Sequence, residues 1–195
     1  MLSYNESLKI LKETNALLEG HFILSSGLHS NQYIQCAMLL SYPEKAEIIC
    51  SSLTEKIRDN YNDIDMVLSP AIGGIVIGYE IGKQLNVRTV FAERTNGKLI
   101  LRRGFDIKKN LNVLIVEDVI TTGKSALECS EIIKSKGANL LGYACIIDRS
   151  DDKLLIKEKI ISQIKVKIST YNEKNLPNSL RDIPAIKPGS RNLSK

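Results

Sequence analysis

The pattern of apolar and polar positions changes near residue 65. Before it, apolar residues recur at helical spacing; after it, short apolar runs alternate with amphipathic segments. Ser3 and Glu6 stand at the spacing of a capping box, which predicts a helix with Leu8, Leu11 and Leu18 on one face, stopping near Gly20. HFILSSGLHSNQYIQCAMLL reads as short extended pieces around Gly27. Pro43 suits a first helical position, and Ala46, Ile49, Leu53 and Ile57 make one buried stripe running to about Arg58.

From residue 65, DMVLS reads as a strand, PAIGG as a turn and IVIGYEIGKQL as a helix. VRTVFAE is a second strand, followed by the polar, basic RTNGKLILRRGF. NVLIVED is a nearly continuous apolar strand, SALECSEIIKSKG a helix closed by Gly137, and LLGYACIID a further strand. Buried strands alternating with helices predict an α/β fold with a mostly parallel, doubly wound sheet. Beyond about residue 152, KVKIST is a possible strand, and LPNSLRDIPAIKPGSRNLSK reads as loop.

With 195 residues, 43% apolar and 25% charged, the chain suits one globular domain. No apolar run spans a bilayer, and the N-terminus is capped like a helix rather than built like a signal peptide, so neither a membrane nor secretion is expected. Four scattered cysteines read as core residues in a reducing cytoplasm, and two histidines are too few for a histidine-rich metal centre. A net charge of +5 fits a lysine-rich surface or anionic small substrates. Aromatic content of 5% without basic-aromatic interleaving argues against a nucleic-acid partner.

The chemistry concentrates in NVLIVEDVITTGKSALE. Gly123-Lys124-Ser125 opening a helix suggests a nucleotide-binding loop, but Asp118 stands where that motif needs its first glycine. In a parallel sheet, ligands sit beyond the carboxyl ends of the strands. Thr121, Thr122, Gly123 and Ser125 offer N–H groups and hydroxyls at a helix N-terminus, which favours an anion. Glu117 and Asp118 are acceptors suited to vicinal hydroxyls. Phosphate on one side and a diol on the other describe a ribose 5-phosphate. The plainer reading is a strand, a polar turn and a capped helix.

VLIVEDVITTGKS closely resembles the phosphoribosyl-pyrophosphate (PRPP) motif of the type I phosphoribosyltransferases. GHFILSSGLHSNQYIQC, SPAIGGIVIGYEIGKQL, AERTNGKLILRRGF and IPAIKPGSR resemble the short bacterial orotate branch of that family. The resemblance implies one phosphoribosyltransferase domain over residues 1–195, with a core at about 60–150 and a small hood from about 18–40 plus the C-terminal segment. It implies transfer of ribose 5-phosphate from PRPP to orotate in pyrimidine synthesis, with Mg²⁺ held mainly by PRPP and no protein metal ligand assigned. The alternatives are transfer to another base and a non-catalytic PRPP sensor.

Residue by residue, the resemblance puts PRPP on Glu117, Asp118, Val119, Ile120, Thr121, Thr122, Gly123, Lys124 and Ser125. Gly73 and Gly74 belong to the pyrophosphate loop, where the better-known family pattern has a lysine in place of Gly73. Thr121 and Arg149 fall on orotate; the plainer reading of Arg149 is a surface ion pair with Asp148 or Asp151. Arg94 and Lys98 match cations of a mobile catalytic loop shared across a homodimer, and Glu117 and Asp118 complete the catalytic set. Arg102 and Arg103 are candidates to compensate for cations missing near Thr95 and Ile100; the plainer reading is an inert basic hairpin. In the hood, the family's orotate-contacting lysine is replaced by Ser25 and its aromatic pair by Ile34-Gln35, while His29 is a substrate contact or a surface or capping histidine.

Overall fold

The computed structural model describes residues 1–24 and 26–188. Ser25 and the Gly189-Ser190-Arg191 end of the IPAIKPGSR motif lie outside the described residues.

The fold is organised around β6 (Asn112–Ile120), whose Val113, Leu114, Ile115 and Val116 are fully buried. Such a run can only be a central strand covered on both faces. It pairs in parallel with β3 (Met66–Pro70) and β7 (Asn139–Asp148). Outside β3 lie parallel β4 (Arg88–Thr95) and antiparallel β5 (Lys98–Leu101); outside β7 lies parallel β8 (Ile160–Lys165). The six-stranded order is β5-β4-β3-β6-β7-β8, a doubly wound α/β sheet. One face carries α1 (Tyr4–Glu13), α3 (Pro43–Arg58) and α4 (Gly74–Leu85), packed on Val67, Leu114, Val116 and Ile146. The other carries α5 (Lys124–Ser135), packed on Leu68, Val113, Ile115 and Cys145.

A second sheet, β1-β2-β9, combines β1 (Leu17–Ile23), β2 (His29–Ile34) and the two-residue β9 (Thr170–Tyr171). Ile186 adds a parallel bridge to Phe22, exchanging backbone hydrogen bonds with His21 and Ile23 at 2.8 Å each. Short α2 (Cys36–Leu40) leads from this sheet into the core.

Three expectations are corrected. Helix α1 has the expected capping box but ends at Glu13, not near Gly20. Thr14 donates its hydroxyl to the Ile10 carbonyl, and Asn15 takes a left-handed turn at φ 55° that redirects Leu18 into β1. The last parallel strand is Ile160–Lys165 rather than KVKIST, because its partner β7 ends at Asp148, opposite Lys165. The C-terminal tail is not all loop: it contains α6 (Asn178–Arg181) and the Ile186 bridge.

Helix α4 lies unusually close to the sheet. A Cβ on Gly78 would overlap the Ser69 hydroxyl, and one on Gly82 would overlap the Thr89 hydroxyl. Gly78→Ala should therefore destabilise the fold by about 1–3 kcal/mol, the usual range for overpacking, measurable as a lower urea midpoint at unchanged slope.

Candidate active site

Period-2 alternation at the end of β6 decides where the two acids go. Leu114 and Val116 face the α3–α4 side, as does Asp118; Val113 and Ile115 face α5, as does Glu117. The Asp118 carboxylate lies against the turn that leads into α4, so close that a Cβ on Gly73 would stand 2.8 Å from either of its oxygens. Burial pushes the Glu117 carboxyl up to about 8, and the neighbouring Asp118 charge adds to the rise. Burial also raises Asp118, opposed by the Val119 N–H that donates to its Oδ1 at 2.9 Å.

Beyond the acids, Val119 and Ile120 complete the strand, and the turn Thr121-Thr122-Gly123 delivers the chain into α5 at Lys124. Thr121, Thr122 and Lys124 are exposed, and Ser125 is half-buried in the first turn. Gly123 has φ 75°, and a Cβ there would stand 2.7 Å from Ile156, so only glycine serves. The helix start has no side-chain cap, leaving its first N–H groups available to an anion.

The facing turn, Ala71 to Gly74, follows β3. Its Ala71–Ile72 peptide is cis, and Ala71 donates its N–H to the Ala92 carbonyl at 2.7 Å. Gly73 is exposed and Gly74 buried at the start of α4, where a Cβ would press on Ser69 and the Val116 carbonyl.

RTNGKLILRRGF forms the β4–β5 hairpin. Asn96 and Gly97 both have positive φ, 49° and 81°, as a tight two-residue turn between twisted strands requires. Arg94 donates to both carboxylate oxygens of Glu128 on α5, at 2.9 and 3.2 Å. Arg103 makes a two-pronged pair with Glu93, at 2.9 and 2.8 Å. Lys98 and Arg102 are exposed.

Arg149 follows β7, joined to the acid strand by its N–H, which donates to the Ile120 carbonyl at 2.8 Å. The ion pair with Asp148 or Asp151 is not seen: Asp148 pairs with Lys165 at 3.2 Å, and Asp151 accepts the Lys153 N–H. The buried Arg149 Nε has no hydrogen-bond partner. Burial pulls the guanidinium below its ordinary value, with Cys36 of α2 and Tyr33 of β2 acting in the opposite direction. Ile34 is buried in the main core and Gln35 is exposed. His29 is neither surface nor cap: it is buried, with its Nδ1 2.6 Å from His21 Nε2, and His21 Nδ1 donates to the Ile183 carbonyl at 2.8 Å.

Sequence reasoning missed Glu128, which on α5 reads as a solvated partner for Lys124 four residues earlier. It also missed Cys36, whose thiol lies 3.9 Å from the Asp118 carbonyl. Among the described residues no cluster of three or more His, Cys, Asp or Glu side chains could hold a metal ion.

The sequence model of the phosphoribosyl transferase domain matches residues 40–176, the stretch that carries both glycine turns. The chain belongs to the phosphoribosyltransferase family. Over 183 residues it is 44% identical to the orotate phosphoribosyltransferase of Carboxydothermus hydrogenoformans, covering 94% of this chain and 96% of that one. It is 45% identical over 190 residues to the orotate phosphoribosyltransferase of Chlorobaculum parvum, covering 97% of each. Among solved structures, the orotate phosphoribosyltransferase of Aeropyrum pernix superposes with a TM-score of 0.69 over 81% of this chain and 92% of that one; at 24% identity this shows the shared fold.

The raised Glu117 carboxyl makes the stability of the fold depend on pH. Since the folded value stands above the ordinary 4.5, the folded protein keeps a proton that the unfolded chain has released. This group's stabilisation is complete below 4.5 and is lost as pH rises through about 8. Glu117→Gln should therefore lose less stability than the parent between neutral and alkaline pH, by on the order of 1–2 kcal/mol, measurable by urea denaturation across that range.

Proposed function

We infer that this chain is an orotate phosphoribosyltransferase, joining orotate to the ribose 5-phosphate of PRPP and releasing pyrophosphate and orotidine 5′-monophosphate, a step of pyrimidine synthesis. The observation that carries this reading is the 44–45% identity, over nearly the whole length, to two orotate phosphoribosyltransferases. The geometry supports it: an uncapped helix start for the 5′-phosphate, a glycine turn for the diphosphate, two acids between them, and the half-buried Arg149, whose buried Nε lacks a partner.

The 5′-phosphate sits on Thr121 to Ser125, where N–H groups and hydroxyls converge. The ribose lies across the end of β6, with Asp118 on the diphosphate side and Glu117 on the helix side. The diphosphate rests on the backbone of Gly73 and Gly74, beside the hairpin of Arg94 and Lys98. Orotate lies under the hood near Thr121, its carboxylate or carbonyl edge meeting the Arg149 fork.

The bond from the anomeric carbon to the pyrophosphate oxygen breaks while an orotate nitrogen forms the new bond. Positive charge spreads over the anomeric carbon and ring oxygen, as in glycoside hydrolysis. Asp118 and Glu117 stabilise that charge, the developing cation drawing the raised Glu117 carboxyl back toward its ionised form, and the hairpin cations stabilise the departing diphosphate. No nucleophilic side chain is required, because the base attacks directly. Mg²⁺ fits this donor set: a hard cation that binds through one or two carboxylates and substrate phosphates, without a protein cage. Its contribution when bound is positive charge against the diphosphate oxygens.

We also propose a homodimer, supported by an exposed apolar row that runs from the turn before α4 to the middle of that helix: Ile72 85%, Val76 50% and Tyr79 68% accessible. Location in the cytoplasm follows from the substrates of the proposed step.

Orotate absorbance should fall on adding PRPP and Mg²⁺, and a panel of other bases should release no pyrophosphate; the reverse result assigns the chain to another base. Arg149→Ala should raise the orotate KM about tenfold or more, the loss of a charge-assisted hydrogen bond, with the PRPP KM little changed. Val76→Asp should shift the light-scattering mass from dimer to monomer.

A further inference from the structure

The hairpin carries two cations that are assigned alike by resemblance but are placed differently by the fold. Directly opposed residues of an antiparallel pair share a face, and neighbours along a strand alternate. Arg94 lies opposite Leu99, which is buried in the cluster beneath α5. Thr95 lies opposite Lys98, one step along and so on the other face. That other face is the one on which Thr89 donates to the Gly78 carbonyl of α4, so Lys98 shares its side of the sheet with α4 and the Gly73-Gly74 turn.

Arg94 is committed. Its Nη1 and Nη2 both donate to Glu128, and Nη1 also donates to the Gly97 carbonyl at 2.6 Å. The same Glu128 carboxylate accepts the Leu99 N–H at 3.1 Å. One side chain of α5 thus holds the last residues of β4, the turn and the start of β5. Taken alone, a half-exposed ion pair contributes little. Here the fork geometry and the backbone donor fix orientation, and the element being held is weak: β5 is a four-residue edge strand with one neighbour. Arg103 is engaged by Glu93, whereas Lys98 is exposed and forms no ion pair among the described residues. Glu128 lies one helical turn beyond Lys124. The hairpin therefore takes its position from the helix whose N-terminus faces the 5′-phosphate.

We propose that Glu128 is a positioning residue which pins the β4–β5 hairpin to α5 through Arg94 and the Leu99 N–H, leaving Lys98 as the hairpin cation that meets the departing diphosphate. This rests on the phosphoribosyl-transfer reading above. It separates the two roles: Arg94 and Glu128 set the distance between phosphate and diphosphate subsites, and Lys98 supplies charge at the far end.

The test compares Glu128→Gln, Arg94→Gln, their double variant and Lys98→Gln in the full-length protein, by steady-state kinetics and by amide hydrogen exchange at Leu99. Glu128→Gln and Arg94→Gln should each raise the PRPP KM about tenfold, and the double variant should be no worse than either, since one shared interaction is lost. Both should speed exchange at Leu99. Lys98→Gln should lower kcat by about ten- to a hundredfold and leave Leu99 exchange unchanged. The proposal is overturned if Arg94→Gln lowers kcat while Glu128→Gln behaves as the parent, if the two effects multiply in the double variant, or if Leu99 exchange does not respond. Should the parent fail to consume orotate, the functional reading falls, and Leu99 exchange together with calorimetric PRPP affinity still decides the anchor.

Discussion

Strand β6 excludes water from both of its faces over Val113–Val116, and everything at the ligand edge follows from that. A slip of β6 by one residue would carry Glu117 into the apolar layer or draw Val116 out of it. Its register against β3 and β7 is therefore fixed, and with it the level at which Glu117 and Asp118 leave the core. The acids emerge where hydrophobic packing ends, still enclosed enough for burial to raise both carboxyls. The protein holds two acidic groups in a state that the free edge of a sheet would not favour, and positive charge brought beside them would relieve it.

The same alternation sorts function on the neighbouring strands. At β6 it sends one acid toward the Gly73-Gly74 turn and the other toward α5. On the hairpin it sends Arg94 toward Glu128 and Lys98 to the opposite face. Glycines complete the arrangement where backbone has to come close: Gly73 under Asp118, Gly123 under Ile156, Gly78 and Gly82 under the strand hydroxyls. A lysine in place of Gly73 would have to displace the Asp118 carboxylate, so its absence from this sequence is structurally consistent.

Much of this was legible in the sequence. The parallel α/β order, the capped start of α1, the Pro43 helix and the acid-turn-helix site all carry strong local signals, because burial on both faces and helix-start chemistry leave recognisable composition. What escaped had competing local signals. The end of α1 is set by the Thr14 hydroxyl and the turn at Asn15, whereas Gly20 looked like the stronger stop. Strand β8 contains Gln163, a polar residue buried because its amide donates to the Ser7 hydroxyl at 2.8 Å, and this breaks the apolar run. Glu128 reads as an ordinary surface acid until β5 folds back beside it. The sheet β1-β2-β9 was least legible, since it is joined by contacts between chain segments far apart.

That last feature bears on how the molecule is made. His21 and His29 form their imidazole pair within the first thirty or so residues, but its other end is fastened to the Ile183 carbonyl, and Ile186 closes the bridge to Phe22. During synthesis every strand of the central sheet is made before Ile183 and Ile186. The sheet of β1 and β2 therefore gains its last fastening only when the C-terminal segment is free to reach it.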